Sequence, residues 1–560
     1  MNNFKLRSVN PHNFSMVPRA DVPRSAFKTQ SVYKTTFDAG FLVPVFCEEV
    51  LPGDSINLKM TAFTRLTTPI YPIMDNLHME SFFFYVPYRL VWQNWVRFMG
   101  ERDNPDDSID FVIPQQVCPA GGYEINSLQD YLGLPTKGQI PSGNTVSHSA
   151  LVTRAYNLIW NEWFRDENLQ DSVTVDKGDG PDDVSNYKLL RRGKRHDYFS
   201  SSLPWPQKGE SVSIPLTGNA PIAGSVTGAG KLLGTDEFSK QFNSTNYPGY
   251  SGISGTYSEN YDGEVPISRT ATLTGINRTH MTNYVSINNL NFSGLYADLS
   301  DVTAATINQL RQSFQIQRLL ERDARGGTRY TEILRSHFGV TPPDARLQRP
   351  EYIGGGYSPI NINPIAQTSG SGAEGTTAPL GTLGAMGTSV MSGHGFNHSF
   401  VEHGIVLGLV NVRADLTYQQ GLQRFWSRKT RYDFYFPVFA HLGEQAVLNK
   451  EIYVTGNQEQ DDGVFGYQER WAEYRYKPSM ITGRFRSTAA NTLDGWHLSQ
   501  KFANLPALNA DFIQDNPPMS RILAVGAQAL GSQFYFDAFF DIRQVRPLPL
   551  YSVPGLMDHL

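Results

Sequence analysis

From Ser55 the chain alternates, with Ile56, Leu58, Met60 and Ala62 on one side and Asn57, Lys59 and Thr61 on the other. A two-residue period of this kind predicts a strand with one buried face. Residues 77–86 follow as a second strand, apolar on both faces near its end (Phe82, Phe83, Phe84, Tyr85), which places it between layers or under a partner subunit. Pro87 suits a first helical turn, and Leu90, Val91, Trp95 and Phe98 keep helical spacing up to Gly100. After a loop over 103–122, Val152, Tyr156, Ile159 and Trp163 mark a helix over 149–164. Ile307, Leu310, Phe314, Ile316, Leu319 and Leu320 mark another, stopped at Gly326-Gly327; Tyr330, Ile333, Leu334, His337 and Phe338 then form a stripe at i, i+3, i+4, i+7 and i+8. Strands return at 405–409, 431–438, 480–485 and 533–542. Strands at both ends with helices and loops between them predict one β-sandwich whose early and late strands pair, the middle being insertions.

Two stretches lack periodicity. Residues 217–265 hold nine glycines among Ser, Thr, Asn and Tyr, and read as an inserted, exposed subdomain. Residues 370–395 hold eight glycines and one charge, Glu374, and read as a long mobile loop.

Composition narrows the class. Of 560 residues 40% are hydrophobic, enough for a sizeable core, but only 18% are charged and 12% are aromatic. That profile fits a strand-and-loop protein that hides much of its surface against other chains. Two cysteines, Cys47 and Cys118, exclude a disulfide framework and a four-cysteine zinc site. No stretch reaches the ~18 apolar residues of a membrane span, and 1–14 lack the apolar core of a signal peptide, so a reduced, cytoplasmic setting is expected, without membrane insertion.

Enzyme signatures are missing. The acidic doublets Asp106-Asp107, Asp182-Asp183 and Asp461-Asp462 sit in turn-like context and read as solvated turns. His394, His398 and His403 have a spacing that suggests metal ligands, but the flanking glycines argue against a helix, and packing or interface roles are expected instead. No catalytic residue, cofactor or metal is expected. Basic clusters are more telling. Residues 1–37 carry Lys5, Arg7, Arg19, Arg24, Lys28 and Lys34 against one acid and read as an extended arm. Residues 188–195 hold five cations, and Arg424, Arg428, Lys429 and Arg431 are interleaved with Phe425, Trp426 and Tyr432. Cations for phosphates and rings for bases suit single-stranded nucleic acid; an intersubunit salt-bridge patch is the competing reading for 424–431.

The runs LLERDARGGTRYTEILRSHFGV (319–340) and PDARLQRPEYIGG (343–355) carry a resemblance, as do RSAFKTQSVYKTTFDAG (24–40), GHGFNHSFVEHGIVLGL (393–409) and RPLPLYSVPGL (546–556). The chain resembles the major capsid proteins of the Microviridae, small icosahedral phages with single-stranded DNA, most closely the gokushovirus branch. The resemblance implies a mainly-β viral jelly roll, an eight-stranded antiparallel β-sandwich with long loop and helical insertions. On that reading residues 1–37 are the arm, and 38–560 one jelly-roll domain with an exposed protrusion at 217–291 and a helical insertion at 300–350. Sixty copies, organised as pentamers, would close a T=1 shell around the genome, with internal scaffolding and DNA pilot proteins and a host surface receptor as partners and assembly in the host cytoplasm. Lys5, Arg7, Arg424, Phe425, Trp426, Arg428, Lys429 and Arg431 are then the candidates for DNA contact, and Tyr247, Tyr250, Tyr257 and Tyr261 for the receptor. A carbohydrate-binding or carbohydrate-cleaving β-protein is the alternative that the Tyr- and Trp-rich loops favour.

Overall fold

The computed structural model describes residues 23–210, 212, 307–327, 330–338, 348–369, 380–524 and 532–551, with four short strand segments between 222 and 297. Eight long strands carry the architecture: β1 (Ser25–Phe37), β2 (Val43–Val50), β3 (Ser55–Leu66), β4 (Leu77–Pro87), β5 (Glu351–Ala366), β6 (Leu383–Ser399), β7 (Gly404–Ala414) and β8 (Phe534–Arg546). They pair antiparallel in the order β1-β8-β3-β6-β5-β4-β7-β2. The order divides into two four-stranded halves, β1-β8-β3-β6 and β5-β4-β7-β2, which meet along β5 and β6, where the register shifts between Gly354 and Asn361. This is the expected jelly roll. Early and late strands do pair: β1 and β8 match without interruption from Ser25↔Arg546 to Phe37↔Phe534.

The alternation along β3 explains the core. Ile56, Leu58, Met60, Ala62 and Leu66 are buried and join Phe37, Val45, Phe83, Met391, Val410, Phe536 and Phe540 in one cluster to which all eight strands contribute. β4 and β7 go further. Every residue of β7 is buried, because Ile405, Leu407 and Leu409, with Phe84 and Val86 of β4, pack under a second layer made by the insertion after β4. Helix α1 (Leu151–Ile159) supplies Leu151, Ala155, Tyr156 and Ile159 to that layer, beside Trp92 and Trp95. The two-sided apolarity of Phe82–Tyr85 is thus met inside the chain, with Phe83 facing the sandwich and Phe84 the added layer.

Several local expectations are corrected. Residues 431–438 and 480–485 are not strands; they form tight turns at Arg431–Asp433, Pro437–Phe439 and Gly483–Phe485. Their aromatic content mimics β-propensity, but β-propensity reflects fit to a half-buried pleated surface, which Tyr432, Phe434 and Phe436 do not meet. The helix after Pro87 shrinks to a turn at Tyr88–Leu90 and one short helix, Trp95–Phe98. Residues 383–395 are not a mobile loop but most of β6; 370–379 lie outside the described residues. Two of its glycines are required by close approach. A Cβ at Gly395 would lie 2.0 Å from the Leu58 carbonyl oxygen, and one at Gly387 2.8 Å from the Leu66 Cβ. The last third of the predicted arm, Ser25–Phe37, is the edge strand β1.

The chain divides into two units, Met1–Gly209 with Leu320–Leu560, and Glu210–Leu319. In the second, Ile222–Ala223 pairs with Tyr296–Ala297, and Phe238–Phe242 with Gly255–Glu259. Two helices stand where the periodicity placed them, α2 (Ile307–Gly326) and α3 (Tyr330–Phe338). In the larger unit Tyr198, Phe199, Tyr418, Val447, Ile452, Phe465 and Phe512 form a satellite core.

Candidate nucleic-acid interface

The two halves of the sandwich differ on their outer faces. The β5-β4-β7-β2 half lies under the added layer, whereas the outward residues of β1-β8-β3 and part of β6 are exposed or half-exposed. The register aligns them in rows, Lys34↔Asp537↔Phe63↔Val390 and Val32↔Phe539↔Thr61. Phe63, Tyr535 and Phe539 are each 40–48% exposed, on positions where a solvated sheet face carries polar residues. Between the rings stand Lys28, Lys34, Lys59, Arg65 and Arg543 against two carboxylates, Asp537 and Asp541. Lys28 and Lys34 reach those acids only at 3.7 and 3.9 Å. The Arg65 guanidinium lies 6.0 Å from the centre of the Phe63 ring. A sheet face with rings on neighbouring strands and surplus cations has the composition on which bases can stack while phosphates are neutralised. Residues 1–22, which precede β1 in the sequence and carry Lys5, Arg7 and Arg19, lie outside the described residues. Lys28 and Lys34 were legible as cations of the basic arm and alternation in β3 pointed to Lys59, but Arg65 and Arg543 escaped sequence reading because β3 and β8 lie far apart in the chain.

The cations singled out from sequence are placed otherwise. Lys5 and Arg7 lie outside the described residues, as do Tyr247, Tyr250 and Tyr261; Tyr257 stands opposite Lys240 in the short strand pair of the smaller unit. Arg424 is committed within the chain: its Nη1 donates to the Glu451 carboxylate and to the Ala446 carbonyl, both at 2.7 Å. Burial lowers the Arg424 pKa, but Glu451, Tyr198 and Glu473 outweigh it and hold the guanidinium above its ordinary value. Arg428 reaches Glu473 at 3.5 Å and lies over the rings of Tyr474 and Phe434 at 4.7 and 5.1 Å. Lys429 and Arg431 are exposed, as are Phe425 and Trp426, whose rings touch at 4.7 Å between centres. The six described candidates therefore differ in their surroundings. Two are structural ion pairs and four are surface groups.

The cluster at 188–195 is mostly internal. Arg191 lies 3.9 Å over the Phe41 ring and donates to the Asp515 carbonyl at 3.1 Å. Arg192 binds Glu80, whose two carboxylate oxygens also accept from Arg413 at 2.9 Å. Lys194 donates to the Gln500 amide oxygen at 3.0 Å over the Phe512 ring, and Arg195 pairs with Asp415 at 2.6 Å. Burial pulls Lys194 down to about 8 and Arg192 to about 9, and pushes the Asp515 carboxyl up to about 6. These contacts tie the satellite core to the sandwich.

Nor do the acids and histidines converge. Asp183 and Asp461 cap turns, and Asp107 closes its own loop by accepting from the Asn104 amide. Asp182 is a correction to the solvated-turn reading, being buried against Arg154. His394 is sandwiched between the hydroxyls of Ser81 at 2.7 Å and Ser358 at 3.0 Å, and burial holds it below its ordinary pKa. His398 packs on Phe400 and His403 on Trp95. Among the described residues no three His, Cys, Asp or Glu gather as a metal site, and no helix is long and apolar enough to cross a membrane.

The model of the family described as capsid protein (F protein) matches residues 15–556. The chain is 46% identical over 549 residues to the capsid protein VP1 of Bdellovibrio phage phiMH2K, covering 98% of each chain. It is 44% identical to capsid protein VP1 of Chlamydia phage 1, with 99% of each chain covered, and 35% identical to that of Spiroplasma virus 4, with 97% covered.

Proposed function

Since the chain belongs to the phage capsid protein (F protein) family, of the gokushovirus-type Microviridae, and is a structural capsid protein rather than an enzyme, we propose that sixty copies close into a T=1 icosahedral shell around a single-stranded DNA genome. The observation that carries the genome part is the outer face of β1-β8-β3, which presents five cations against two acids and three exposed rings in a chain whose net charge is −5. Packaged single-stranded DNA repels itself, and inward cations lower that cost while releasing counterions. Lys5 and Arg7, which precede β1 in the sequence, are proposed to contact the DNA as well. Of the cluster at 424–431, Arg424 and Arg428 pair with Glu451 and Glu473 within the chain, so the reading leans on the sheet face more than on them.

The protrusion at 217–291, with Tyr247, Tyr250, Tyr257 and Tyr261, is assigned to attachment at a host surface receptor, because polar glycine-rich chain adds little to a core and exposed insertions carry function at low cost in stability. Internal scaffolding and DNA pilot proteins complete the partners, with assembly in the host cytoplasm. Electron microscopy of the purified chain, with and without circular single-stranded DNA, tests the reading. Uniform closed shells that retain DNA support it; a stable monomer at every salt and protein concentration refutes it.

A further inference from the structure

The segment around 422–442 is an ordered loop that turns its rings outward. Its backbone is pinned: Trp471 donates its indole N–H to the Phe439 carbonyl at 2.9 Å, and the Asp433 carboxylate accepts from the amides of Lys429 and Thr430 at 2.9 and 2.7 Å. Arg424 and Arg428 hold it from beneath through Glu451 and Glu473. On this rigid support Phe425, Trp426, Tyr432, Phe434, Tyr435 and Phe436 are all exposed, Trp426 at 69%, and Val438 beside them at 88%. The rings are continuous with Tyr474, which lies 6.4 Å from Tyr435. A folded subunit gains nothing from rings held in water, and a patch of this size marks an interaction surface. Seven rings about half exposed, at roughly 200 Å² each, offer on the order of 700 Å², close to the ~800 Å² per partner of a specific interface. Its uncommitted charges are positive: Lys429, Arg431 and Lys477 are exposed and make no ion pair among the described residues.

The chain carries a complementary surface. Residues 101–110 hold five acids against one base, Arg102. Asp103 pairs with Arg97 and Asp107 is used in its own turn, whereas Glu101, Asp106 and Asp110 are exposed and make no ion pair among the described residues. Apolar side chains flank the acids, Val96, Met99 and Val112 being 38%, 48% and 75% exposed. No hydrogen bond or ion pair joins the two segments within the chain among the described residues. The ring-bearing patch opposed to itself would set cation against cation, so a two-fold contact is disfavoured. Rings and cations facing apolar groups and acids make a head-to-tail contact, the kind that propagates into closed rings.

We infer that the 422–442 surface of one copy docks on the 96–112 segment of the next copy, as a subunit contact of the shell. The inference rests on the assembly reading above, and the test separates the two. In one variant Lys429, Arg431 and Lys477 become Glu; in a second, Glu101, Asp106 and Asp110 become Lys; a third carries all six changes. None of the six side chains is buried, so each variant should melt as the wild-type subunit does. Each triple variant is expected to lose shells in electron microscopy and sedimentation, and the six-charge variant to recover them, since every contact is complementary again. Triple variants that assemble at wild-type yield, or a six-charge variant that stays monomeric, overturn the contact while leaving the assembly reading intact. Wild-type chain that never assembles overturns both. Triple variants that form intact shells but lose DNA would reassign the ring-bearing surface to the genome.

Discussion

Arg154 and Asp182 form an ion pair with essentially no solvent exposure on either side chain. The Arg154 Nε donates to the Asp182 carboxylate at 2.8 Å, its Nη1 donates to the carbonyls of Val91 at 3.1 Å and Gly178 at 2.8 Å, and the Tyr187 hydroxyl donates to the same carboxylate. One guanidinium thus ties α1 to two distant loop segments and fixes the layer that covers β4 and β7. Removing one partner of such a pair strands a buried charge. Asp182→Asn is expected to destabilise the subunit by about 3–5 kcal/mol, read as a fall in the denaturation midpoint; a loss below about 1 kcal/mol would show that the pair is not buried in solution.

The sheet face gives a second prediction. Changing Lys59, Arg65 and Arg543 together to Gln leaves the core intact, since all three point outward. Binding of single-stranded DNA, followed by fluorescence anisotropy over a salt series, is expected to weaken at low salt. The slope of log K against log salt should shrink by about 2, from roughly 0.7 per lost contact. An unchanged slope would remove this face from the genome surface.

A third prediction concerns pH. Burial lowers Lys194 to about 8 from an ordinary value of 10.5. The unfolded chain therefore holds that proton more tightly, so the cost of the buried charge is fully present below about pH 8 and fades as pH rises toward 10.5. Asp515 acts with opposite sign: its carboxyl, raised to about 6, costs stability above that pH and is relieved below it. Across pH 8–10 the wild-type subunit should gain on the order of 2 kcal/mol relative to Lys194→Met. Parallel urea midpoints for the two proteins over that window would contradict the assignment.

The fourth prediction separates attachment from assembly. With residues 217–265 replaced by a short Gly-Ser linker, shells should form while adsorption to host cells is lost. Failure to form shells would make the segment structural, and normal adsorption would place the receptor contact elsewhere.

Much of the scaffold was legible in the chain itself. Alternation at Ile56, Leu58, Met60 and Ala62 located β3, the two-sided run Phe82–Tyr85 located a strand between layers, and the stripe from Tyr330 to Phe338 located α3. These signals are local, because the side-chain period of an element is written into consecutive residues. Glycines misled where their cause was distant: Gly387 and Gly395 look like loop residues until Leu66 and Leu58 are seen against them. Aromatic residues at 431–438 imitated a strand because propensity does not say whether a partner strand is near.

Charge was decided only by the fold. Arg424 and Arg428, read as neighbours of Phe425 and Trp426, spend their charge on Glu451 and Glu473, and Arg195 finds Asp415, 220 residues away. Lys59, Arg65 and Arg543 become one surface because β3 and β8, at opposite ends of the chain, pair in register. Hydrophobic period follows from steric repetition along a single element, so the sequence alone determined the elements with a clear period, β3, β4 and α3, and which β3 residues face inward, while β1, β6 and the turns at 431–439 were decided by the partners the fold brings to them. A cation's role depends on which carboxylate, ring or solvent its end meets, and that is a property of residues brought together by long-range pairing.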